Sequence, residues 1–85
     1  MARSENLTIL FTDIVGYTGL TSSLTRQALR ALLAEHDRLL LTIARAFGGQ
    51  LVKSIGDALL MTFHSPTDAV RCGMAMQNAL ARARR

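Results

Sequence analysis

The spacing of apolar residues along this chain switches between a strand-like run and the three-to-four period of a helix, and the switches divide it into elements. Leu7-Thr8-Ile9-Leu10-Phe11-Thr12 is short, β-branched and aromatic, which predicts a buried strand. A short helix is expected directly after it, over Gly16 to Leu20. Thr25 suits the N-cap of a long helix reaching about Phe47. Along it Leu29, Leu32, Leu33, His36, Leu40, Ile43, Ala44 and Phe47 recur at three- and four-residue spacing and form one apolar face. Gly48-Gly49 ends that helix, because the left-handed capping position favours glycine.

Gln50 to Ile55 and Ala58 to Phe63 then read as two short strands joined by a tight two-residue turn, Gly56-Asp57. Ser65-Pro66-Thr67-Asp68 supplies a cap, a proline at the first helical position and an acid three residues after the cap. The final helix is expected to carry Val70, Gly73, Met74, Gln77, Leu80 and Ala81 on one face, with Met61, Met74 and Met76 as core fillers. The order β-α-β-β-α, with an extra short helix after the first strand, is the beginning of a ferredoxin-like unit. The expected class is α+β, a three-stranded sheet with helices on one face and the final strand missing.

In that topology the first and third strands pair antiparallel at the sheet centre. The end of the first therefore lies beside the start of the third, which brings Asp13 next to Asp57. Alone, Asp13 suits an N-cap and Asp57 suits a hairpin turn. Together at one meeting point, past an apolar strand and beside glycines, two carboxylates suit metal ions and the phosphates those ions carry. The amides of Val15, Gly16, Tyr17 and Thr18, at a helix start, could cradle phosphate oxygens. The same topology leaves the first strand with an open edge, so self-association is expected.

Other candidates carry less. Lys53 is placed by strict alternation on the face opposite Val52. His36 reads as a satisfied core-edge histidine and His64 as a surface or capping residue. No His/Cys/Asp group has zinc spacing, and Thr18, Thr21, Ser22 and Ser23 have no companion base.

Composition narrows the classes further. The chain has 85 residues, enough for one small core, and 49% of them are hydrophobic, which excludes a disordered chain. The net charge is +4, yet Arg82, Arg84 and Arg85 crowd into the last four residues and the rest is near balance. With only Phe11 and Phe63 as strand aromatics, a nucleic-acid-binding sheet is not expected. The lone Cys72 permits no internal disulfide and fits a reducing, cytoplasmic setting. No apolar run approaches the ~18 residues of a membrane span, and the N-terminus lacks the apolar core of a signal peptide.

Phe11-Thr12-Asp13-Ile14-Val15-Gly16-Tyr17-Thr18, the Gly48-Gly49 stop, Lys53-Ser54-Ile55-Gly56-Asp57-Ala58 and Ser65-Pro66-Thr67-Asp68-Ala69-Val70 together resemble the class III adenylate/guanylate cyclase catalytic domain. The resemblance runs in order from about Leu7 to Leu80. It implies a tail over residues 1–6, a truncated cyclase-like domain over 7–81 and a basic tail over 82–85. It further implies that Asp13 and Asp57, with the Ile14 carbonyl, bind two Mg²⁺ or Mn²⁺ ions, and that the substrate is ATP. Lys53 matches the family's purine-selecting lysine and would serve the site of a partner subunit in a head-to-tail dimer. Tyr17 stands where the family usually has Phe.

Domains of that family are roughly twice this length. Their other half supplies an Asp for purine selection and the Asn and Arg that stabilise the transition state. No complete catalytic set is therefore expected in these residues, and activity alone is expected to be weak or absent. The alternative the resemblance leaves open is a non-catalytic module that pairs with itself or with a full-length cyclase chain.

Overall fold

The computed structural model describes residues 6–14 and 17–83. In chain order its elements are β1 (Thr8–Thr12), α1 (Tyr17–Ser23), α2 (Arg26–Ala46), β2 (Gln50–Ile55), β3 (Ala58–Phe63) and α3 (Pro66–Ala83). The two long helices and the hairpin fall where their periodicity places them. The short helix runs to Ser23, past the end at Leu20 that the sequence suggests, and Gly16 lies outside the described residues.

Local chemistry explains the boundaries. Thr25 caps α2, its hydroxyl accepting from the Ala28 amide at 3.1 Å. At the other end the Gly49 amide donates to the Ala44 carbonyl (2.7 Å) and the Gly48 amide to the Arg45 carbonyl (3.1 Å), with Gly48 at φ +79°. This is the paired-bond helix stop that needs a left-handed residue. Ser65 caps α3 by accepting from the Asp68 amide at 3.2 Å. Gly56, at φ +58°, takes the first central position of the hairpin turn, where glycine costs nothing.

The sheet order is β1-β3-β2, all antiparallel. Leu59, Met61 and Phe63 of β3 point to one face and join Leu40 and Ala44 of α2 and Ala69, Cys72 and Met76 of α3 in the core. Both long helices cover this face. On the opposite face Ile9 and Phe11 remain 65% and 57% exposed, and Ile55 is exposed beside them.

Two sequence-based expectations fail here. The buried face of α3 is Ala69, Cys72 and Met76, with Leu80 packed at its edge, whereas Val70 and Met74 are 64% and 63% exposed and Gln77 and Ala81 also face solvent. α3 lies close enough to β1 that a Cβ on Gly73 would meet Leu10 Cδ1 at 3.9 Å. The buried face is set by how α3 docks on the sheet and α2, not by the hydrophobicity of its residues alone. Met61 and Met76 are core residues; Met74 is not.

The second failure is the alternation on β2. Leu51 pairs with Met61 and Lys53 with Leu60, so Val52 is the extra residue of a β-bulge. Strict alternation would put Leu51 and Lys53 on the same face. The bulge separates them and places Lys53 on the outer face, in register with Leu60 and Phe11.

Cys72 is fully buried, and burial pushes its thiol pKa up. The thiolate is the reactive form. Ellman's reagent at pH 8 is therefore expected to label the native chain far more slowly than the urea-unfolded chain. Equal rates would show that α3 does not stay docked.

Candidate metal-binding site

The register carries the site. Thr12 of β1 pairs with Leu59 of β3, so the residue after β1 arrives beside the turn that opens β3. Asp13 and Asp57 occupy those two places. The Ile14 amide donates to Asp13 Oδ1 and to Asp57 Oδ2, both at 2.9 Å. One backbone N–H thus holds two carboxylates from opposite ends of the sequence together. Asp13 is exposed and Asp57 half-buried, so both can be reached from solvent.

Two carboxylates this close cannot both ionise freely. The neighbouring Asp57 carboxyl, hydrogen-bonded to Asp13, raises the Asp13 pKa; burial and charge repulsion add to this, and the Ile14 amide opposes it. Asp57 is shifted down, chiefly by its hydrogen bond with Asp13 and then by the Ile14 amide. The opposite directions mean that Asp57 gives up its proton more readily than Asp13 does. Asp57 is the better-supported carboxylate because its own backbone amide also assists it.

A cation would offset the repulsion between the two carboxylates. The donor set is carboxylate oxygen, which suits Mg²⁺ or Mn²⁺, and neither ion needs an all-protein cage. Among the described residues no group of three or more His, Cys, Asp or Glu side chains could enclose an ion. Ions held here would keep open positions for water or substrate.

The other predicted positions divide. Val15 and Gly16 lie outside the described residues. Tyr17 is half-buried and Thr18 exposed at the start of α1, where the Thr18 carbonyl accepts from the hydroxyls of Thr21 (2.7 Å) and Ser22 (3.0 Å). Those two hydroxyls are thereby committed to the helix. Lys53 does not join the carboxylates; it stands exposed on the outer sheet face, in the row below the Thr12–Leu59 pair.

The sequence reading missed a polar layer beside the pair. Thr12 Oγ1, His36 Nε2 and Asp37 Oδ1 are all buried without hydrogen-bond partners. His36 sits at the core edge as expected, but it is not satisfied. Its place on an apolar helix face was the available signal. His64 is exposed, as expected.

Comparison with known proteins decides the family. The model of the adenylate and guanylate cyclase catalytic domain matches residues 1–84. The chain belongs to this family. It is 45% identical over 82 residues to the serine/threonine-protein kinase pkn2 of Myxococcus xanthus, covering 96% of the chain and 10% of that protein. It is 34% identical to the putative adenylate cyclase 3 of Rhizobium meliloti, over 98% of the chain and 14% of the relative. The crystal structure of the adenylyl cyclase CyaB from P. aeruginosa superposes with a TM-score of 0.85 at 32% identity, covering 92% of this chain and 44% of that one. The chain thus spans a tenth to a seventh of those two relatives and less than half of the solved cyclase chain. No helix among the described residues is long and apolar enough to cross a membrane.

Proposed function

We propose that this cyclase-family chain contributes the metal-binding half of a nucleotide cyclase site that converts ATP to cyclic AMP and pyrophosphate in a cytoplasmic setting. The observation that carries this reading is the shared Ile14 amide, which holds Asp13 and Asp57 as one unit. Asp13, Asp57 and the Ile14 carbonyl would hold two Mg²⁺ or Mn²⁺ ions. When bound, such ions stabilise both the attacking and the leaving oxygen of a phosphoryl displacement.

The chain's own residues do the rest of this half's work. Asp13, whose pKa the neighbouring Asp57 carboxyl raises, would be favoured in its ionised form by a bound cation. Val15, Gly16, Tyr17 and Thr18 would contact the triphosphate. Lys53, placed on the outer face by the β2 bulge, would reach the purine in the site of a second subunit. The exposed apolar face of Ile9, Phe11 and Ile55 supports such a partner, either a second copy or a full-length cyclase chain. The same face favours a second reading, a pairing module without turnover.

Electron paramagnetic resonance of Mn²⁺ tests the proposal. The purified chain is expected to bind Mn²⁺, more tightly with ATP present, and to release little or no cyclic AMP by itself. Absence of Mn²⁺ binding with and without ATP would sink the metal reading. Robust cyclic AMP release would show that the chain needs no partner residues.

A further inference from the structure

The polar layer beside the carboxylates has a direction. Its three unpartnered atoms come from two elements: Thr12 at the end of β1, directly before Asp13, and His36 and Asp37 in the middle of α2. His36, Thr12 and Asp13 line one cavity of about 260 Å³, whose floor includes Leu10, Leu40 and Met76. Gln77 also lines it, yet neither Thr12 Oγ1 nor His36 Nε2 has a hydrogen-bond partner. Among the described residues that line it, Asp13 is the one carboxylate.

The same α2 segment also acts on Asp57 through its charges. The charge of His36 is among the influences that lower the Asp57 pKa, and Asp57 in turn helps raise the Asp37 pKa, which burial raises most. His36 and Asp37 are nevertheless not close enough to join Asp13 and Asp57 around one ion. They stand one layer behind the pair. A buried polar atom without a partner costs free energy, so its retention at such a place calls for a function.

We propose that His36 is a positioning residue for the metal site, its Nε2 and Thr12 Oγ1 forming a polar wall that orients Asp13 and Asp57 and meets the hydration shell of an ion they hold. This rests on the metal reading above. Ions of this kind keep several waters, and those waters need outer partners. Groups one layer behind the ligands typically change metal affinity by about 10–100-fold when lost. His36 acts through the pair and touches no substrate in this assignment.

The test uses the full 85-residue chain with His36→Leu, which removes the polar edge, and His36→Gln, which keeps one. The His36→Leu chain is expected to bind Mn²⁺ about 10–100-fold more weakly than the native chain, with His36→Gln recovering much of the loss. Urea unfolding is followed in parallel. Equal Mn²⁺ affinity in a folded His36→Leu chain overturns the proposal, as does a loss that His36→Gln shares in full. A metal-free readout separates this inference from the metal reading itself. The Ile14 amide resonance reports the bond it donates to both carboxylates, and it is expected to shift in His36→Leu and stay near its native place in His36→Gln. If the native chain binds no Mn²⁺, the metal reading falls. The Ile14 resonance then decides alone whether His36 orients the pair: a shift supports it, and an unmoved resonance overturns it.

Discussion

Replacing Phe63 by alanine is expected to lower the stability of the chain by about 3–5 kcal/mol, a range typical of large aromatic truncations in a core. An 85-residue domain has a total stability of only about 4–13 kcal/mol. The variant should therefore be partly unfolded at 37 °C. Phe63 is 1% exposed and ends β3, where its ring lies against the helix stop after α2. A Cβ added at Gly49 would come within 2.6 Å of that ring and 3.1 Å of the Ala44 carbonyl. Gly49→Ala alone should accordingly cost about 1–3 kcal/mol through overpacking. Phe63→Leu shortens the side chain at the point of collision. Urea titrations of the two single variants and the double variant should then show non-additivity, the double variant being more stable than the sum predicts. Strict additivity would mean that Gly49 is constrained by the Ala44 carbonyl and not by the ring.

That pair illustrates what could and could not be read from the residues in order. Gly48-Gly49 announces a helix stop, and the left-handed Gly48 bears this out. The role of Gly49 could not be read, because the ring that excludes a side chain there arrives fourteen positions later in β3. The same distinction runs through the fold. Strand and helix boundaries follow from caps, glycines and period, and the β1–β3 register that joins Asp13 to Asp57 follows from topology. Which face of α3 is buried does not follow. Val70 and Met74 are the more hydrophobic choice, yet α3 turns Ala69, Cys72 and Met76 to the core. The face of Lys53 was equally hidden, since a bulge at Val52 resets the alternation and no glycine or proline in β2 marks it. His36 and Asp37 became legible only when the third dimension brought α2 under the strand ends.

Neutralising either carboxylate of the pair is expected to weaken Mn²⁺ binding by at least about 100-fold, beyond the loss typical of groups one layer behind the ligands. The two variants should differ in stability, and the sign follows from the direction in which each pKa is shifted. The Asp13 pKa is raised in the folded chain, so ionised Asp13 opposes folding once the pH passes above the ordinary carboxylate value. Asp13→Asn removes that opposition, and at pH 7 its urea midpoint should equal or exceed the native one. The Asp57 pKa is lowered, so its ionised form favours folding above the ordinary value, and that contribution is lost as the pH falls through the folded value. Asp57→Asn should accordingly lower the midpoint at pH 7, and its difference from the native chain should shrink as the pH falls below the ordinary carboxylate value. Sites that gather like charge for a ligand commonly give up stability to do so. A lower midpoint for Asp13→Asn than for Asp57→Asn would reverse the assignment of the two shifts. Undiminished Mn²⁺ affinity in both variants would remove the pair from the site altogether.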